Sequence, residues 1–207
     1  MQNTKVLIKK YLVVFIGQVI IGTGCAFLVS AGMGNDPMGV MVSGISKHIG
    51  LSFGTVTNLA NFVTFVGLLL FYRKRLSLTT LVTVVVVGWT IDPVAAFLGS
   101  IHSPEIVVKG LYPIIGCVVI SLGVAFYLCI DFGASITDNV ILMIGDLAHK
   151  SYAFGCYTLY IIYFSLGLLF GGVWGYATLM TLLLNGKMID KLTPVFRKTV
   201  GAWANRA

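Results

Sequence analysis

No acidic or basic side chain stands between Lys10 and Asp36. A run of that length and apolarity has few homes, because ~20 such residues coiled as a helix cross a hydrocarbon core of ~30 Å with every backbone group paired internally. Similar windows recur along the chain, so spans are read at residues 10–31, 54–72, 77–98, 109–130, 154–173 and 175–195. Composition agrees: mean hydropathy is +0.96 and 10% of residues are charged, against ~25% in a soluble domain. The expected fold class is an all-α membrane protein with six transmembrane helices in a single domain, residues 1–207. Two further apolar segments, 36–50 and 137–151, are too short and too interrupted by polar residues to cross. They read as re-entrant or broken half-helices.

The net charge of +7 and a pI near 9.3 do not indicate nucleic acid. The basic residues sit in short gaps between apolar spans and form no patch with stacking aromatics, so no nucleic-acid partner is expected. They act instead as a topology signal. With the two short segments not crossing, Lys5, Lys9, Lys10, Arg73, Lys74, Arg75, Lys150, Lys187, Lys191, Arg197, Lys198 and Arg206 fall on one side, leaving Lys47 and Lys109 on the other. The positive-inside rule then makes that side, and both termini, cytoplasmic. "IGTGCAF" lacks a small-residue cleavage pattern, so the first segment is expected to remain as a helix. Cys25, Cys117, Cys129 and Cys156 all lie in apolar segments without metal-ligand spacing; no metal or cofactor is expected.

Several stretches occur twice in the same order. "GCAF" at Gly24 is answered by "GVAF" at Gly123, "GISKHIGLSFG" at Gly44 by "GDLAHKSYAFG" at Gly145, and G-x-x-I-D at Gly88 by the same pattern at Gly186. Gly22, Ala26 and Ser30 form a small-residue stripe matched by Ser121, Ala125 and Cys129, a spacing that lets helices approach closely in lipid. Repeat one covers about 8–100 and repeat two about 107–198. Each holds an odd number of crossings, so the second copy enters from the other face and the repeats are inverted. That plan is common in secondary transporters, which bind substrate at the repeat interface.

The acidic residues are Asp36, Asp92, Glu105, Asp131, Asp138, Asp146 and Asp190. An aspartate at a helix centre costs ~2.5–3.5 kcal/mol on insertion scales, several times what one Val or Leu offsets, so its placement needs a reason. The loop "AGMGNDPMG" carries Asn35 and Asp36 as cap and Pro37 as first-turn proline of a half-helix. "DFGASITDN" sets Asp131, Ser135, Thr137, Asp138 and Asn139 at the start of the other. Two such N-termini facing one another would form a polar pocket near mid-membrane, or cap two ordinary hairpins. Asp92 reads either as a site residue or as a carboxylate holding backbone donors near a break at Pro93. Asp190 reads as a helix-end ion pair with Lys187 or Lys191. Asn58, Asn61 and Gln18 are polar enough within spans to line a pocket or to bond between helices, and Trp89 neighbours Asp92. His48 and His149 read as interfacial, and Tyr157, Tyr160 and Tyr163 as anchors or packing. The candidate substrate-binding set is therefore Asn35, Asp36, Asn58, Asn61, Trp89, Asp92, Asp131, Asp138 and Asn139.

"GNDPMGVMVSGISKHIGLSFGTVTNLANF", followed by a basic turn and "GWTIDPVAAFL", resembles the YczE/YitT-type bacterial integral membrane proteins. The motifs are Gly34 to Pro37, Gly50 to Gly54, and Ile91 with Asp92, and the likeness runs from about residue 10 to 196. It implies a bacterial cytoplasmic membrane and a six-helix organisation, without assigning a substrate. No nucleophile triad, P-loop or H-E-x-x-H is present, so enzymatic activity is not expected. The expected function is a small secondary transporter or permease for a small polar metabolite. Alternatives are a substrate-binding subunit of an energy-coupling-factor-like transporter, or a non-transporting membrane scaffold or sensor. Expected partners are the lipid bilayer, a small-molecule substrate, and a second copy of the chain or an energising subunit.

Overall fold

The computed structural model describes residues 4–73, 76, 78–101, 104–133, 135–150 and 152–205, without the side chains of 78, 152 and 153. Lys74, Arg75, His102 and Arg206 lie outside the described residues. The helices are α1 (Thr4–Ala31), α2 (Pro37–Ile49), α3 (Phe53–Phe71), α4 (Leu78–Ser100), α5 (Glu105–Leu128), α6 (Ile136–Ala148), α7 (Tyr152–Leu169) and α8 (Tyr176–Phe196). A π-helical turn (Arg197–Gly201) and α9 (Ala202–Asn205) follow. The lengths, 28, 13, 19 and 23 residues and then 24, 13, 18 and 21, run long, short, long, long twice.

Both short helices are bounded by local chemistry. Asp36 caps α2 by accepting from the Gly39 N–H at 3.2 Å, Pro37 opens it, and Gly50 closes it in the left-handed conformation at φ 68°. Ser135 and Asp138 form a reciprocal capping box at the start of α6, and His149 ends it at φ 52°. Thus α6 ends at the histidine itself, whereas α2 runs on past His48. Each short helix is joined to the next by three residues, 50–52 and 149–151, so α2–α3 and α6–α7 are antiparallel hairpins. The expected break at Pro93 does not occur. α4 continues through it, as α5 does through Pro113, since a proline in a long apolar helix removes one backbone bond that neighbouring helices help to replace.

α1 and α5 form the spine. They cross antiparallel on glycines: a Cβ on Gly24 would lie 2.9 Å from the Gly116 carbonyl oxygen, and one on Gly116 2.8 Å from that of Gly24. Gly17 and Gly123 repeat the contact at 3.2 and 2.9 Å. The offset that relates GCAF to GVAF also carries Gly17 onto Gly116, so this interface maps onto itself when the two halves are exchanged. α4 packs on α1, where Gly22 meets Thr90 and the Val87 carbonyl, and α8 packs on α5, where the Cys117 thiol and Ser121 hydroxyl donate to Asn185 Oδ1 at 2.9 and 3.1 Å. Ser121 is the mate of Gly22, and Asn185 of Val87.

α1, α4, α5 and α8 thus make one group and α2, α3, α6 and α7 a second, joined chiefly where α3 lies along α4. That joint is also glycine-dependent, since a Cβ on Gly54 would come within 2.2 Å of the Gly88 carbonyl oxygen. α7 does not lie along α8 in the same way. Among the described residues four helices are long and apolar enough to cross a membrane, Thr4–Ala31, Phe53–Phe71, Thr79–Ser100 and Glu105–Leu128; Phe154–Leu169 is a shorter apolar helix. α8 carries Lys187, Asp190 and Lys191 in its second half. Large apolar side chains cover the outside, among them Phe71 and Leu169, a surface suited to lipid rather than water.

Candidate functional site

The first turns of α2 and α6 are brought together by α7. Val40 and Met41 pack beside Gly167 and Gly44 beside Phe170, so α2 runs parallel to α7; Ile141 and Gly145 pack against Gly155, and the tight hairpin makes α6 antiparallel to it. The two short helices therefore run in opposite directions along α7, with their N-terminal ends approaching the same stretch. Tyr160 lies within electrostatic range of both Asp36 and Asp138, Tyr163 of Asp36, and Cys156 of Asp138. Asp138 accepts from the Tyr127 hydroxyl at 2.8 Å and the Ser135 hydroxyl at 2.9 Å. Both aspartates are half-buried rather than sealed. Asn35, beside Asp36, is 4% exposed, and its side chain has no hydrogen-bond partner among the described residues.

Beneath this centre runs a buried polar layer. Asn61 Nδ2 donates to the Thr83 carbonyl and Asn139 Nδ2 to Thr80 Oγ1, each at 3.5 Å, with a further bond from Asn139 Nδ2 to the Ser135 carbonyl at 2.9 Å. Asn139 is fully buried, and Gln18 is 2% exposed with its Nε2 unpartnered. Asn58 serves the α3–α4 joint, where its Oδ1 accepts from the Gly88 N–H at 3.0 Å.

Besides Asn58, three of the sequence-derived candidates stand elsewhere. Asp92 accepts from the Ser52 hydroxyl and from the Gly54 N–H at 2.8 Å, so its carboxylate holds the N-terminus of α3 against α4. Asp131 is paired with Arg197 Nη2 at 2.9 Å on an exposed rim. Trp89 is 73% exposed and faces outward, one residue step, about 100°, round the helix from Gly88, which packs on Gly54 and Asn58. Asp190 is exposed and forms no ion pair with Lys187 or Lys191 among the described residues. His48 Nδ1 sits 3.0 Å from the Gly44 carbonyl, with its ring edge-on to Phe170. Tyr127 was not legible as a site residue, because its repeat mate is Leu28 and carries no polar hint. Tyr160 and Tyr163 differ in no local signal from Tyr157, which is 70% exposed.

Two consequences are measurable. Asp92→Ala should lower stability by about 1 kcal/mol, the typical loss of a helix cap, and Asp92→Asn by much less; thermal unfolding in detergent reads the difference, and equal losses would show that charge rather than capping matters. Asp131→Asn, which removes the charge but keeps a residue type that tolerates the left-handed φ of 46°, should shift stability by less than about 1 kcal/mol, because the pair with Arg197 is exposed, at 73% and 58% of the two side chains, and is screened. A larger loss in the same assay would contradict this.

Comparison with known proteins places the chain among relatives without an assigned activity. It is 28% identical over 190 residues, 91% of this chain and 94% of the other, to "Uncharacterized protein YyaS" of Bacillus subtilis (strain 168). No solved structure matches it. Neither the relative nor the matching family carries the YczE or YitT name, so the likeness seen in the Gly34–Pro37 and Gly50–Gly54 motifs stays at the coarser level of a family of unknown function. Residues 8–194 match as one unit, and the chain belongs to the Family of unknown function (DUF6198).

Proposed function

We propose that the protein is a small secondary transporter of a bacterial cytoplasmic membrane, carrying a small polar metabolite through a site between two inverted repeats. In this scheme α1, α3, α4, α5, α7 and α8 cross, α2 and α6 are re-entrant, and the Arg73 and Arg197 side is cytoplasmic. A helix of 21 residues is about 31 Å long, enough for α8 to cross with Lys187 and Lys191 extended toward the head groups.

The observation that supports this most is the meeting of two oppositely directed half-helix N-termini at Tyr160, with the Asn35 amide beside them and without a side-chain hydrogen bond among the described residues. The Asn35 amide is not among the sealed polar atoms that lack a partner, so it stands open to a ligand rather than stranded in the core. The described side chains gathered there are carboxyls, an amide and phenols, without a lysine or arginine among them, so the favoured solute presents hydrogen-bond donors or an ammonium group. The test is uptake by the purified chain in liposomes together with ligand-induced thermal shifts across a metabolite panel. Uptake without any other protein supports transport. Binding without uptake would point to an energising partner, and neither binding nor uptake to a scaffold.

A further inference from the structure

The G-x-x-I-D motif occurs twice in the chain and is engaged once. In α4, Gly88 lies against Gly54 and Asn58, and Asp92 caps α3. In α8, a Cβ on Gly186 would meet nothing within 4 Å, and Asp190 is exposed without a partner among the described residues. The mate of Gly54, Gly155, is packed instead against the Ile141 carbonyl of α6, 2.2 Å from where its Cβ would stand.

The short helices show the same imbalance. α2 is seated on α7 and the turn after it: Gly44, Gly167 and Gly172 make backbone-close contacts, Lys47 Nζ reaches the Gly171 carbonyl at 3.1 Å, and the Val173 N–H donates to Ser43 Oγ at 2.8 Å. The mate of this contact is α6 on α3. There the ends diverge around a cleft of about 420 Å3 between Leu70–Arg73 and Asp146–Leu147, bridged by the Tyr72 hydroxyl on Asp146. Exchanging the halves turns α3 on α4 into α7 on α8, and α2 on α7 into α6 on α3, so each tight contact has a loose mate.

We infer that the Gly186 and Asp190 face of α8 is a vacant helix seat whose occupant is the N-terminal part of α7 of the same chain, taken up in a second conformation. In that conformation α3 leaves α4, α6 closes on α3 over the present cleft, and α2 releases α7. Asp190 then accepts from the Gly155 N–H as Asp92 accepts from Gly54 now; Ala153, the mate of Ser52, adds no hydroxyl. Gly54 on Gly88 has its equivalent in Gly155 on Gly186, and Gly44 has its mate in Gly145, whereas Val66 and Phe71 stand where Gly167 and Gly172 seat α2, and Leu159 where Asn58 bonds Gly88, so the second packing is the looser and less populated of the two. It rests on the transporter reading for its purpose, and names the two faces between which the site would alternate.

Cysteine pairs test it. In the full chain in membranes, with Cys25, Cys117, Cys129 and Cys156 replaced by alanine, Asn61→Cys with Val84→Cys reports the present α3–α4 contact and controls for folding. Ile162→Cys with Leu182→Cys occupies the mate positions on α7 and α8, both now exposed. The expected result is an intramolecular cross-link in each variant, and loss of the second when Gly186→Leu fills the seat while the first persists. Cross-linking of the first pair alone overturns the inference, as does a second-pair cross-link that joins two chains, which would make the face a dimer contact. A second-pair cross-link indifferent to Gly186→Leu overturns it too. Cross-linking without uptake in liposomes would leave the exchange standing and remove transport; uptake without the second cross-link would remove the exchange alone.

Discussion

Asp36→Asn should abolish uptake and ligand-induced thermal stabilisation while leaving the unliganded protein melting close to the parent. Asparagine caps a helix about as well as aspartate, so the bond to the Gly39 N–H and the start of α2 survive the change. What disappears is the second carboxyl oxygen beside Tyr160 and Tyr163 and its capacity to carry a negative charge. A site that binds donors or an ammonium group loses about 1.5–3 kcal/mol when a charged acceptor becomes neutral, a drop of about ten- to a hundred-fold in affinity. Asp36→Ala removes the cap as well and should cost about 1 kcal/mol more in thermal stability. Retained ligand shifts in the asparagine variant would move the site away from the α2 N-terminus; equal destabilisation by both substitutions would mark Asp36 as purely structural.

The second large effect is structural. Gly24→Leu should destabilise the protein by about 3 kcal/mol or more, a large share of the ~5–15 kcal/mol that holds a typical domain together. The new Cβ alone would stand 2.7 Å from Ile120 Cγ1, 2.8 Å from the Ile120 nitrogen and 2.9 Å from the Gly116 oxygen, and backbone cannot give way as a side chain does. Gly116→Leu should match it, because the interface is the same contact seen from the other half. Gly67→Ala in α3 provides the contrast: its Cβ meets nothing within 4 Å, and replacing a helical glycine there should be neutral or gain up to about 1 kcal/mol. Monodispersity and thermal midpoint in detergent read all three. A normally stable Gly24→Leu would show that α1 and α5 do not cross on these glycines.

Much of the fold was legible because apolar windows, caps and glycines are local signals. The short helices were expected at 36–50 and 137–151 and are Pro37–Ile49 and Ile136–Ala148; proline, aspartate and serine at their starts determine those ends whatever surrounds them. The site was legible only in part. Asp36, Asn35, Asp138 and Asn139 are gathered around the meeting of α2 and α6, whereas Asn58, Asp92, Asp131 and Trp89 are not. A carboxylate in an apolar run must find a partner, but the energetic requirement is the same whether that partner is the α3 N-terminus, as for Asp92, or an arginine on the rim, as for Asp131.

The sequence by itself determined the apolar helices, the two interruptions between them and the repetition of small residues and motifs across the halves. Those are consequences of solvent and of backbone geometry, which act on each segment alone. Only the tertiary structure decided that Gly54 rests on α4 while Gly155 rests on α6, that Asp92 is engaged while Asp190 is not, and that Tyr127 and Tyr160 meet Asp138. Motifs that recur in both halves offer a helix more than one place to pack, and which one is taken depends on every other contact in the packed molecule.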